Sequence, residues 1–315
     1  MSIPRYADLP IIPATGDRHC WGVFGPDDQL GTINFLTPER VRRAVGLVRQ
    51  GLVFPLSLPL DQPHPPLVWG RQRYRHTLLF PDRNARDEVL DNFYPQFSTQ
   101  IDGLRHIRYR EFGFYGGRQD EDIAKGALGI EHWARHGIVG RGVLLDVARW
   151  MEGQGHPLNP REAFPIRPEH LEATAHAQGV ALEEGDILLV RTGWLGWYLS
   201  LPEGERAKVG TITDNTLASP GLYAGWEMAQ WLWDHRIALV AGDNVAVESL
   251  PVRPEVGFLH RRLIPLLGMP LGGFWALDDL ARHCAQDGVY AFLLVAVPLY
   301  LPGGVGSPAN AIAIK

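Results

Sequence analysis

Short uninterrupted apolar runs, each bounded by turn residues and separated by stretches of helical spacing, constrain this chain most. Leu182-Glu183-Glu184-Gly185-Asp186 feeds Ile187 to Arg191, and Ile237 to Ala241 ends at Gly242-Asp243-Asn244. Val143 to Val147 and Tyr290 to Val297 have the same character. A strand with one wet face alternates apolar and polar residues, so a run without alternation belongs to a strand covered on both faces. Between the runs the spacing predicts helices. Thr37 is placed as N-cap with Pro38 at the first helical position, Val41, Ala44, Val45 and Val48 share a face, and Gly51 ends the segment. Further helices are predicted over 130–135, 167–178, 224–235, 258–267 and 277–286. Helices alternating with buried strands predict an α/β class with a mixed sheet.

The same reading bounds the rest of the chain. Among 315 residues, 35 Gly and 25 Pro are spread without a repeat, which predicts many turns on one domain, 1–315, with 1–38 as an N-terminal arm laid over the fold or a partner subunit. Thirty Lys+Arg stand against 35 Asp+Glu, for a net charge of −5 and no basic block, so nucleic acid and anionic membrane surfaces are excluded as expected partners. Val289 to Leu301, 13 residues interrupted by Pro298, is the longest uncharged apolar run, too short for a span of about 20. Neither a basic n-region nor an apolar h-region opens the chain, so a cytoplasmic location and a small-molecule substrate are expected. Cys20 and Cys284, far apart and outside any CxxC spacing, read as structural thiols. Pro59 to Pro81 reads as a loop too long to lack a purpose, expected to cover a site or an interface. Its Trp69 and Tyr74, with Trp194 after a buried strand, are the candidates for lining a planar substrate pocket.

Several standard signatures are missing: a phosphate-binding G-x-x-x-x-G-K-[ST] loop, a G-x-S-x-G elbow and HExxH, while Gly140-Arg141-Gly142 lacks the third glycine of a dinucleotide fingerprint. His132 and His136 stand four apart on a predicted helix but have no third ligand nearby, and read as an exposed polar face. The informative stretch is Gln96-Phe97-Ser98-Thr99-Gln100-Ile101-Asp102-Gly103-Leu104-Arg105-His106. In an extended chain 96, 98, 100 and 102 share one face, and an Asp102-Gly103 turn would return His106 to it. On periodicity alone this is either a polar concave site or an exposed sheet face with a turn.

This stretch resembles the motif H-x-G-T-H-x-D-x-x-x-H of the metal-dependent cyclase and kynurenine-formamidase-like hydrolases, which include isatin hydrolase. The likeness continues, in order, through Gly140 to Asp146, Glu184 to Trp194, Ser219-Pro220-Gly221, Ala241 to Asn244 with Glu248, and His260 to Ile264. It implies a swivelling β/β/α fold, a small barrel-like mixed sheet flanked by helices, and homo-oligomers, dimer or tetramer, in which the arm packs on a neighbour. It also implies hydrolysis of a small cyclic or aromatic amide, formamide or lactone, with His106 as acid/base. The metal positions of that pattern fall here on Gln96, Gln100, Asp102 and His260, while the later Glu falls on Gly273. Carboxamides are poor zinc donors beside imidazole, so one divalent metal, Mn or Zn, and a metal-free site both stay open, with Asp243, Glu248 or Glu227 as replacement carboxylates. Without metal, Gln96, Gln100 and Thr99 would donate to the oxyanion. Two other readings are a metal-independent cyclase or dehydratase and a relative that binds without turnover.

Overall fold

The buried runs take neighbouring places in one curled mixed sheet, in a computed structural model that describes residues 3–68 and 70–315; Trp69, a candidate pocket residue, lies outside the described residues. In chain order the strands are β1 (Val53–Pro55), β2 (Arg75–Leu79), β3 (Asp87–Asp91), β4 (Gln100–Asp102), β5 (Ile138–Asp146), β6 (Phe164–Ile166), β7 (Ile187–Arg191), β8 (Pro220–Leu222), β9 (Leu239–Gly242), β10 (Leu271–Gly272), β11 (Ala291–Ala296), β12 (Gly306–Pro308) and β13 (Ala311–Ile314). Nine of them pair in the order β1-β13-β11-β5-β7-β9-β10-β4-β12. β5, β7, β9 and β10 are mutually parallel; the uninterrupted runs lie on β5, β7, β9 and the antiparallel β11. Antiparallel β11, β13 and β1 extend one side, and β4 and β12 the other.

Helices cover the parallel strands close to where the spacing places them. Pro38–Val45 has the expected Thr37 cap, whose hydroxyl accepts from Arg40 N. Pro168–Ala177, Trp226–Asp234, Leu259–Leu267 and Asp278–Asp287 follow within a residue or two of expectation. Among the described residues no helix is long and apolar enough to cross a membrane. Both cysteines are free and buried.

One expectation changes, and the arm takes one of the two places expected for it. The Pro59–Pro81 segment is not loop throughout, because β2 leaves it and pairs with β3 as an exposed hairpin. Cross-strand pairs hold it, Arg75 to Asp91 at 2.6 Å and His76 to Glu88 at 2.7 Å, and such pairing leaves no apolar periodicity to read. The arm, in turn, is seated on its own chain. Trp233 Nε1 donates to the Pro4 carbonyl at 3.0 Å, Trp21 Nε1 to the Pro265 carbonyl at 2.7 Å and Cys20 N to the Leu266 carbonyl at 2.9 Å. It thereby braces the helix Leu259–Leu267, which carries His260.

Candidate active site

Strand β4 is only three residues long, yet it is held on both edges. Asp102 pairs with Leu271 of β10 and Gly306 of β12, while Gln100 N donates to the Gly273 carbonyl and Trp275 Nε1 to the Gln100 carbonyl, each at 3.1 Å. Alternation along the strand sends Ile101 into the core and Gln100 and Asp102 to the other face. The Gly103 turn forms as expected, with His106 N donating to the Gly103 carbonyl at 2.9 Å. Upstream the extended reading fails, since residues 95–99 form a turn and a bend and the Ser98 hydroxyl donates to the Pro59 carbonyl at 2.9 Å. Gln96 nevertheless reaches the site by lying against Gly306, where a Cβ would sit 2.8 Å from its side chain.

Four titratable side chains converge there. His260 Nε2 lies 3.6 Å from Asp102 Oδ2, His106 Nε2 lies 3.8 Å from Asp102 Oδ1, and His260 Nδ1 meets Glu248 Oε1 at 2.5 Å. Glu248 is fully buried and also accepts from Leu259 N at 2.7 Å and His260 N at 3.3 Å, so its carboxylate caps the helix that carries His260. Burial opposes a charged His260, but its hydrogen bonds to Asp102 and Glu248 prevail and lift its pKa to about 9. Burial also opposes the Asp102 carboxylate, yet His106, His260 and Arg71 hold it well below the usual range. His106 goes the other way. Burial lowers its pKa below the usual 6.5, only partly opposed by Asp102. Its side chain is 22% exposed, against 7% for His260 and 2% for Asp102, so the neutral imidazole is the group that solvent and substrate can reach.

Asp102, His106 and His260 place ligand-type atoms within 4.8 Å of one another, a grouping able to hold a metal ion. Their surroundings do not suit a tightly held Zn or Mn. Gln96 turns its amide N–H toward Asp102 Oδ1 and toward His106 Nδ1, the latter at 3.2 Å, so it presents a donor where a metal needs a lone pair. The Gln100 carboxamide oxygen is taken by Arg71 Nη1 at 3.0 Å. At Gly273 a Cβ would stand 2.6 Å from the Val245 carbonyl oxygen, which closes this backbone to the Glu that the motif likeness places there. Asp243 is spent elsewhere, accepting from Thr192 N, Thr192 Oγ1 and Gly193 N at 2.7 Å each, and Glu227 is absent from the grouping.

The other candidates disperse. Thr99 is buried, its hydroxyl donating to the Phe274 carbonyl at 2.5 Å and accepting from Leu58 N at 2.9 Å, so nothing is left to offer an oxyanion. Thr99→Val should therefore cost about 1–3 kcal/mol of stability, measured as the urea midpoint, by stranding Leu58 N. Trp194 is fully buried and stacks on Tyr198 at 5.2 Å within a second core cluster. Tyr74 contacts His76 at the base of the hairpin. His132 and His136 stay apart from the cluster, as expected. Arg71 was not singled out in the sequence, for it sits in an aperiodic loop; the Pro/Arg richness of that loop was its only signal.

Comparison with known proteins decides the family. The Cyclase family model matches residues 54–249, and a crystal structure described as a novel cyclase is 34% identical, covering 94% of this chain and 99% of its own, with a TM-score of 0.81. The chain belongs to the Cyclase family. Isatin hydrolase A from Labrenzia aggregata, bound to benzyl benzoate, shares the fold at 19% identity and TM-score 0.57, covering 86% of this chain and 94% of its own. An isatin hydrolase bound to the product analogue thioisatinate does so at 14% identity and TM-score 0.56, covering 88% and 98%. No curated protein matches the sequence.

Proposed function

We propose that this Cyclase-family chain hydrolyses an amide, formamide or lactone bond in a small cyclic or aromatic molecule, with His106 moving the proton. The observation that carries this reading is the solvent-reached His106, its pKa lowered by burial, beside the buried Asp102–His260–Glu248 array. A neutral imidazole at pH 7 takes a proton from water as the water oxygen bonds to the substrate carbonyl carbon. The imidazolium so formed is stabilised by Asp102 across 3.8 Å. It then returns the proton to the leaving nitrogen or oxygen as that bond breaks, giving a carboxylic acid that releases its own proton to solvent and regenerating neutral His106. Asp102 and Glu248 hold His260 charged, so the array stays fixed while His106 cycles.

The shared fold with isatin hydrolases supports a planar cyclic amide as the first substrate to try. A panel of isatin, N-formyl aromatic amines and aryl lactones, followed by absorbance, should show turnover of at least one member. Binding of panel members without turnover would overturn the hydrolase reading and favour a relative that binds without chemistry.

A further inference from the structure

We propose that the guanidinium of Arg71 is the built-in cation of this site, holding the Gln96 backbone and the Gln100 carboxamide in place and facing the substrate carbonyl oxygen where a metal-dependent site would place a divalent ion. The proposal rests on the hydrolase reading above for what the cation acts on, but not for where it sits.

Position comes first. Arg71 leaves the Pro-rich loop, half-buried, and its Nη1 donates both to the Gln96 backbone carbonyl and to Gln100 Oε1, the latter at 3.0 Å. Gln96 and Gln100 are the two positions at which the motif likeness expects imidazole ligands. One guanidinium therefore grips both positions, and its charge is felt by Asp102 and by His106. The loop that bears it is itself tied to the same segment, through Leu58 N to Thr99 Oγ1 and Ser98 Oγ to the Pro59 carbonyl, both at 2.9 Å. The purpose expected for so long a loop is thus to deliver a cation.

The donor set is the second observation. Beside Asp102 the Gln96 amide presents its N–H, the Gln100 carboxamide oxygen is taken by Arg71, and position 273 has no room for a carboxylate. A divalent ion added among Asp102, His106 and His260 would sit beside a guanidinium that cannot deprotonate. Replacing the imidazole ligands by carboxamides, closing position 273 to a carboxylate and supplying Arg71 are then one coordinated change. A fixed N–H donor carrying full charge is also suited to an oxyanion, because it needs no reorganisation as the tetrahedral intermediate forms.

The test is calorimetric titration of purified, chelator-treated wild type, Arg71→Met and Arg71→Lys with Mn2+ and with Zn2+, with circular dichroism to establish folding. Wild type and Arg71→Lys should bind neither ion more tightly than about 100 µM, and Arg71→Met should bind Mn2+ at least about tenfold more tightly than wild type. One equivalent of either ion bound by wild type at micromolar affinity overturns the proposal, as does an Arg71→Met affinity equal to that of wild type. Should Arg71→Met fail to fold, the wild-type and Arg71→Lys titrations decide alone. On a substrate from the panel, Arg71→Met should lose roughly 100-fold in kcat with little change in KM, and Arg71→Lys should recover part of it. Equal loss in both variants overturns the oxyanion role. If no panel member is turned over, the hydrolase reading fails by itself, while the titrations still decide where the cation comes from.

Discussion

Replacing His106 by Ala should lower kcat by about 10²–10⁴ while leaving the thermal midpoint within a few degrees of wild type. The side chain is the most exposed of the cluster, and among the described residues its ring nitrogens meet Gln96 and Asp102, both of which keep other partners when it is removed. The pH dependence has a definite sign. Burial lowers the folded-state pKa of His106 below the ordinary 6.5, so the base form dominates at neutral pH and kcat/KM falls only as the medium is acidified through that lowered value. In His106→Ala the acid limb should vanish along with most of the rate. A variant that keeps wild-type kcat on a true substrate would remove His106 from the mechanism.

Replacing His260 by Ala should act on stability. It strands the fully buried Glu248 carboxylate with only backbone N–H groups for company and removes one of the charges that hold Asp102 ionised. Breaking one partner out of such a buried pair costs about 3–5 kcal/mol, which for a chain of this length is a fall of roughly 5–8 °C in Tm. Linkage supplies an independent check. The folded-state pKa of His260 is lifted from 6.5 to about 9, so the native state holds a proton that the unfolded chain releases. Its contribution, on the order of 3 kcal/mol, is fully present below pH 6.5 and is lost as pH rises through 9. Wild-type stability should therefore decline across that alkaline window more steeply than that of His260→Ala, as denaturant melts at pH 6, 8 and 9.5 would show. Parallel curves would mean that His260 is neutral in the folded protein.

Much of this arrangement was legible in the residues. The buried runs over 187–191 and 239–242 became adjacent parallel strands because a strand covered on both faces has few other places to go. The segment ending in His106 was legible as a site because polar side chains and an Asp-Gly turn fall together, and His260 because the likeness to a known motif extends that far. What stayed hidden depends on contacts between distant parts of the chain. Glu248 looked like one of three spare carboxylates until the fold set it against the first N–H groups of the helix 259–267. Thr99 looked chemical, yet both its bonds are to backbone groups remote in sequence. Trp194 looked like a pocket wall, but the second core cluster needed its bulk. Gly273 read as a missing ligand, whereas the approach of Val245 makes it a position with no room for one. Arg71 had no periodicity to mark it at all.

The measurement that bears most directly on the account is hydrolysis of isatin and N-formyl aromatic amines by wild type and His106→Ala, side by side, in chelator-treated buffer with both proteins shown to be folded. The account predicts turnover by wild type that the chelator does not diminish, with a loss of at least about 100-fold in the variant. Equal rates in the two proteins, or a wild-type rate that disappears with the chelator and returns with Mn2+ or Zn2+, would contradict it.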